Sequence, residues 1–349
     1  MLDVLGFGLA AFLLSYMGVA GVRRWAERRQ LLDIPNERSS HVRPTPRGGG
    51  LVIVILSTAG IIFAWLRDPT ASPTALIAYL VGAWLIAGVS WLDDLRSLPN
   101  RVRFAAHSLG AVVVVLGVGY WGVVDLPLLG TVSLGWLGLI ITLLWIVGLT
   151  NAYNFMDGID GIAGGQAVVA GIGWAALGYL INQPLIGLMG VLLAAASLGF
   201  LGHNWPPARI FMGDVGSAFL GFTFAALPVS AAQQNPRLAV AGVLLVWPFV
   251  FDATFTFLRR LRNGENVFAA HRSHLYQRLV IAGYRHRTVT LLYIGLAAAG
   301  TILALLWTLD AAGSGLAIVL GLPLLCWGLC GVVWRRERTR EPRRDGVTR

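Results

Sequence analysis

Apolar runs of 17 residues or more recur along the whole chain, each closed by a short stretch of polar residues. Runs of that length are long enough to cross a bilayer as helices. The pattern predicts eleven helices, at about 2–22, 50–66, 74–91, 104–121, 132–150, 163–181, 184–202, 215–232, 237–257, 288–309 and 312–334. Pro248 predicts a kink in the ninth. The first run, Leu2–Val22, has the length of a signal peptide but lacks a basic leader and an Ala-x-Ala-type cleavage site, so it reads as a retained span.

Composition agrees with the pattern. The 349 residues are 56% hydrophobic and 13% charged, against about 25% charged in a soluble protein. Lipid offers the backbone no hydrogen bonds, so spans of this kind are helices. The expectation is an all-α, polytopic integral membrane helix bundle. All 27 basic residues are arginine and the formal charge is +10. That balance would fit nucleic acid if the arginines were spread over a surface, but they sit in short loops between spans, which argues against it. Segments 23–49, 92–103, 203–214, 258–287 and 335–349 hold all but Arg67 and Arg237. The positive-inside rule makes that side cytoplasmic, with the N-terminus outside and the C-terminus inside. With no linker and no clear repeat, residues 1–334 read as one transmembrane catalytic domain, followed by an Arg-rich cytoplasmic tail at 335–349 near anionic lipid. Cys326 and Cys330, four apart in the last run, share a helix face as small hydrophobes and imply neither disulfide nor zinc.

The acids carry the chemistry. Asp93 and Asp94 (W-L-D-D-L-R), Asp157 and Asp160 (N-A-Y-N-F-M-D-G-I-D-G) and Asp214 (F-M-G-D-V-G-S) each end a long apolar run, and the topology puts all of them on the cytoplasmic side. Adjacent carboxylates repel and favour a cation; oxygen ligands suit Mg²⁺ or Mn²⁺. The plain alternative for Asp93–Asp94 is a solvated helix end paired with Arg96 or Arg101. Asn151, Asn154, Asp157 and Asp160 recur every third residue, so neighbours share a helix face while the face drifts. Such amides and carboxylates, among glycines, suit a nucleotide or a metal-bound diphosphate; helix caps are the alternative. Asp214 stands where an N-cap would, or holds a metal that carries phosphate. Asp252, near the inner end of span nine, is costly at membrane depth and marks either substrate binding or a pair with Arg259. His271-Arg272-Ser273-His274 offers donors for a diphosphate. Otherwise it is an ordinary basic loop. His41-Val-Arg-Pro-Thr-Pro-Arg-Gly-Gly-Gly50 brings Arg43 and Arg47 to a loop-to-helix junction, where they could bind an anion.

Taken in order, P-T-P-R-G-G-G, W-L-D-D, N-A-Y-N-F-M-D-G-I-D-G, F-M-G-D-V-G-S and the H-R-S-H loop resemble the polyprenyl-phosphate N-acetylhexosamine-1-phosphate transferases, from about residue 33 to 290. The family includes the peptidoglycan lipid I synthase and the initiators of O-antigen and teichoic acid linkage. The resemblance implies transfer of an N-acetylated sugar-1-phosphate from a UDP-sugar to undecaprenyl phosphate, with release of UMP, at the cytoplasmic face of the bacterial inner membrane. It implies Asp214 as the main Mg²⁺ ligand with Asn154 beside it, and Asp93 and Asp94 as the catalytic acidic pair. Asn154, Asp157, Asp160, Arg47, Arg272 and Asp252 would bind substrate, and His271 and His274 would match the catalytic histidine loop. H-R-S-H replaces the run of three histidines usual in the peptidoglycan branch, and eleven spans differ from its ten. Both favour the O-antigen and surface-glycan (lipopolysaccharide) branch. Where relatives carry Lys, only Arg43, Arg47 or Arg96 is available. Many relatives are homodimers, but the sequence defines no face for one.

The lipid phosphate has a second pKa near 6 and is mostly dianionic at pH 7. It is already nucleophilic, so direct attack is expected rather than an aspartyl-phosphate. Asp93 or Asp94 would place that phosphate or take its residual proton while the other assists the metal. A transporter or flippase of an anionic metabolite is the rival reading. It should show midplane charges and repeat symmetry, whereas these acids gather at one face.

Overall fold

The computed structural model describes residues 2–35, 43–67, 69, 72–267, 269 and 271–340. Among the described residues, ten helices are long and apolar enough to cross a membrane: α1 (Leu2–Arg28), α2 (Gly50–Arg67), α3 (Pro73–Arg96), α4 (Asn100–Val118), α5 (Trp136–Met156), α6 (Ile162–Leu180), α7 (Pro184–Asn204), α8 (Asp214–Ala232), α12 (His286–Thr308) and α13 (Ser314–Arg340). One further pair of helices is long and apolar enough only when taken together, as a broken span or a re-entrant segment. α9 (Arg237–Leu245) and α10 (Trp247–Arg262) meet at Val246 with a bend of 78°. Pro248, in the first turn of α10, has no N–H to continue the ladder, so the expected kink is a full break. A short α11 (Leu275–Ile281) sits in the last long loop.

Two small antiparallel pairs interrupt the helical pattern. β1 (Leu32–Asp33) pairs with β2 (Thr45–Pro46), and β3 (Val123–Leu126) pairs with β4 (Gly130–Ser133). The second pair corrects the expected start of a span at 132: the first two residues of that stretch are strand, and α5 begins at Trp136 and runs to Met156. α1 reaches Arg28 and α13 reaches Arg340, six residues beyond the expected ends at 22 and 334. The start of the expected tail is therefore helix; residues 341–349, like His41, lie outside the described residues.

α8 is the hub. Nearly all of its side chains are buried, because it packs against α2, α3, α5 and α9 at once. Glycines set the closest approaches. A Cβ on Gly50 would fall 2.3 Å from the Cα of Gly216, so α2 and α8 touch backbone to backbone where both begin. Phe211 N–H donates to the Pro46 carbonyl, and Gly49 and Gly50 N–H donate to the Phe211 and Met212 carbonyls. P-T-P-R-G-G-G and F-M-G-D-V-G-S are thus hydrogen-bonded neighbours, although about 165 residues separate them in the chain. At the other end of α8, about 28 Å away for 19 residues, Arg237 bonds Asp125 and Asp310 and lies over the Trp307 ring. This fixes the β3–β4 pair to α9 and α12.

Candidate active site

The N-terminal mouth of α8 collects side chains from four helices. Asp214 is the first helical residue rather than the cap; the cap position belongs to Gly213, with φ +78° and ψ 164°, a region that excludes side chains. The capping oxygens come from elsewhere. Asp94 Oδ1 accepts Asp214 N–H and Oδ2 accepts Val215 N–H, both at 3.0 Å. A Cβ on Gly213 would lie 2.7 Å from Asp94 Oδ2. Asp94 is 3% exposed and serves as the N-cap of a helix 120 residues away.

Asp93 has a different neighbourhood. It accepts the Leu98 N–H, and its Oδ2 accepts Arg103 Nη1 at 2.9 Å. The same Nη1 reaches Asp214 Oδ2 at 3.4 Å, while Nη2 bonds the Asn100 side chain. The sequence offered Arg96 or Arg101 as partners; the structure uses Arg103, because α4 starts at Asn100 and so turns Arg103 toward the bundle. Arg96 and Arg101 are exposed. Asn154, in the last turn of α5, donates to Asp214 Oδ1 at 2.8 Å and to Ser217 Oγ at 2.9 Å. Asp214 is the most open of these acids, its side chain one-third exposed.

Asn151 lies one turn back on α5, bonds the Val147 carbonyl and meets His107, away from the acids. This is the expected drift. Asp157 ends α5. Burial, and after it the charges of Asp214, Asp94 and Asp160, push its carboxyl up to about 8. Asp160 accepts Ala208 N–H at 3.0 Å and faces His286 Nδ1 at 3.4 Å, so it ties the D-G-I-D-G turn to the α7–α8 loop and to the start of α12. Asn204, which sequence reasoning missed, holds the same turn by accepting Gly161 N–H and donating to the Ile210 carbonyl. Arg47 lies within electrostatic reach of Asp94.

The histidine loop is joined to this mouth through Tyr276, whose hydroxyl donates to the Phe155 carbonyl at 3.0 Å. A Cβ on Gly158 would fall 2.1 Å from the Tyr276 hydroxyl oxygen, so any larger residue there would have to displace the Tyr276 ring. Asp252 organises the loop. It is 0% exposed and accepts five donors: Leu275 N–H, Tyr276 N–H, His274 Nδ1, Thr256 Oγ1 and Tyr293 Oη. So enclosed, Asp252 holds the loop together from inside; it forms no ion pair with Arg259, which bonds the Ser273 carbonyl. His274 is 5% exposed and His271 is more open, with ring centroids 5.0 Å apart. Burial, then the neighbouring His274 and arginines, lowers His271 to about 4, so it is neutral at pH 7. It offers a hydrogen bond, not a charge. Arg272 lies within electrostatic reach of Tyr276.

Among the described residues, no three of His, Cys, Asp and Glu converge as a ready metal cage. Mg²⁺ does not need one: it binds through one or two carboxylates and completes its shell with water and substrate phosphate. Asp93 and Asp214 fit that requirement in kind, as carboxylate oxygens that already share a single cationic nitrogen.

The fold and the site together define a polytopic membrane protein with a polar, carboxylate-rich site at one end of its bundle. Known proteins of this description give the family. The model described as "Glycosyl transferase family 4" matches residues 76–232, the stretch from α3 through α8 that carries Asp93, Asn154 and Asp214. A probable undecaprenyl-phosphate N-acetylglucosaminyl 1-phosphate transferase of Bacillus subtilis (strain 168) is 33% identical over 295 residues, covering 82% of this chain and 81% of its own. The decaprenyl-phosphate N-acetylglucosaminephosphotransferase of Mycobacterium tuberculosis is 34% identical over 329 residues, covering 84% and 80%. A phospho-N-acetylmuramoyl-pentapeptide-transferase of a Synechococcus strain is 34% identical over 258 residues, covering 69% and 73%. This chain belongs to the polyprenyl-phosphate hexosamine-1-phosphate transferase family and is a multi-pass membrane transferase of that class.

Proposed function

We propose that the protein transfers an N-acetylhexosamine 1-phosphate from its UDP-linked form to undecaprenyl phosphate, releasing UMP and starting a lipid-linked surface glycan such as O-antigen. The observation that carries this reading is the meeting of Asp93, Asn154, Asp157 and Asp214 at one helix mouth, with the His271–His274 loop locked to it. A flippase would need no such gathering at a single face. N-acetylglucosamine is the first donor to test, because the names of the Bacillus and Mycobacterium relatives specify it. The arginine-rich loops support a cytoplasmic mouth, where the nucleotide sugar and the inner-leaflet phosphate would meet.

Asp214 and Asp93 would hold Mg²⁺, with the Asn154 amide fixing Asp214; bound there, the ion neutralises charge on the diphosphate. The chain's own groups do the rest. Asp94 holds α8 and so fixes Asp214. Asp157 and Asn154 face the nucleotide diphosphate. Arg47 and Arg272 supply positive charge, and neutral His271 supplies a hydrogen bond. Asp160 and Asp252 position the turn and the loop. The dianionic lipid phosphate attacks the β-phosphorus directly: the new P–O bond forms as the bond to the UMP oxygen breaks, and UMP carries off the electron pair.

The test is incubation with a panel of radiolabelled UDP-N-acetylhexosamines and undecaprenyl phosphate, with and without Mg²⁺, comparing Asp214→Asn. Mg²⁺-dependent lipid product from one donor, lost in the variant, is expected. No lipid product from any donor in a folded preparation would return the flippase reading.

A further inference from the structure

Arg103 binds the acids of this site in an unusual way. Arginine normally meets a carboxylate as a fork, two nitrogens on two oxygens of one group. Here a single nitrogen, Nη1, serves oxygens of two different carboxylates, at 2.9 Å from Asp93 Oδ2 and 3.4 Å from Asp214 Oδ2. That is the place of a bridging cation. The carboxylates are fixed from behind: Asp93 by the Leu98 N–H and Asp214 by Asn154. The guanidinium is less enclosed than Asp93. It hangs from the first turn of α4, is 28% exposed, and its other terminal nitrogen is held only by Asn100.

We propose that Arg103 is an internal counter-ion of the metal position: it bridges Asp93 and Asp214 in the metal-free enzyme, is displaced by the divalent cation, and then turns to the diphosphate of the nucleotide sugar. The inference rests on the transferase reading above. Mg²⁺ sits closer to a carboxylate oxygen than a guanidinium nitrogen does, so an ion held by Asp93 and Asp214 would compete with Nη1 for the same oxygens. The +1 guanidinium and the +2 ion also repel at so short a range. Diphosphate is the nearest acceptor that matches a released guanidinium fork. Metal binding would thereby create the anion site, so that the nucleotide binds productively only once the ion is in place.

The test follows Arg103 itself in the wild-type protein, with residue-resolved mass spectrometry after phenylglyoxal treatment. Modification of Arg103 should be low without metal, rise several-fold with Mg²⁺ alone, and fall again when UDP-N-acetylglucosamine is added. In parallel, Mn²⁺ titration followed by electron paramagnetic resonance, without nucleotide, should show about tenfold or tighter binding in Arg103→Gln, where nothing competes for the carboxylates. Arg103→Lys, which keeps the charge, should bind Mn²⁺ more like wild type. Arg103 reactivity that ignores Mg²⁺ in an enzyme whose transfer depends on Mg²⁺ would overturn the inference and leave the function standing. So would unchanged Mn²⁺ affinity in Arg103→Gln, or no Mn²⁺ binding at all in the folded wild type. A protein with no transferase activity that still exposes Arg103 on adding Mg²⁺ would overturn the function and leave the inference.

Discussion

Asp93 and Asp94 are adjacent in the chain yet have separate tasks, and the difference is one of partners. Asp94 spends both oxygens on the first amides of α8, whereas Asp93 and Asp214 share Arg103. Asp214→Asn removes a charge from the cation position and should lower transfer by about 10²–10³-fold, as for loss of one main electrostatic group at a reaction centre; rates with saturating lipid phosphate would measure it. Asp157 makes a second prediction. Its folded pKa, about 8, stands above the unfolded value of 3.8, so the stability it contributes is present below pH 4 and is lost as pH rises toward 8. Asp157→Asn should therefore raise the thermal midpoint of the metal-free protein more at pH 8 than at pH 5. An equal shift at both would contradict the assignment. His271 acts in the opposite sense. Depressed to about 4 from 6.5, it costs stability as pH falls from 6.5 toward 4.

At the scale of elements, two helices begin on borrowed carboxylates, α8 on Asp94 and α11 on Asp252. The Asp94 cap was not legible in the sequence, because a carboxylate 120 residues away leaves no local signature, whereas α11 also carries a local capping box of His274 and Gln277. The motif positions were legible; the partners were not. Arg103 was missed because the apolar run starts at Phe104, while the helix starts at Asn100 and its first turn is polar. The β3–β4 pair was missed because V-V-D-L-P-L-L-G-T-V-S is apolar enough to extend the runs on either side. Gly213→Ala should cost about 1–3 kcal/mol for its backbone alone and also displace Asp94, so both folding yield and transfer should fall. The far end of α13 clamps the histidine loop: Arg278 forks onto Glu337 at 2.8 and 2.6 Å, and Arg336 covers the Tyr284 ring. Glu337→Arg should speed amide exchange in 271–281 by about two- to fivefold, and pairing it with Arg278→Glu should restore protection.

For the whole molecule, hydropathy carried most of the fold, because lipid enforces span length and backbone satisfaction over every run. It could not show that α8 is the enclosed hub, since α8 is no more apolar in sequence than the helices that surround it. The orientation is testable directly. With Cys326 and Cys330 replaced by Ala, a cysteine at Thr131 should react with an impermeant maleimide added to intact cells, and one at Arg209 should react only after the membrane is opened; the reverse pattern would invert the topology. The central claim is that the phosphate travels with the sugar. UDP-N-acetylglucosamine labelled with ³²P in its β-phosphate, incubated with the enzyme, Mg²⁺ and undecaprenyl phosphate, tests it most directly. The account predicts that the label moves into the lipid phase while unlabelled UMP appears in the aqueous phase. Label retained in water as UDP would mean that the sugar alone is transferred, and would contradict it.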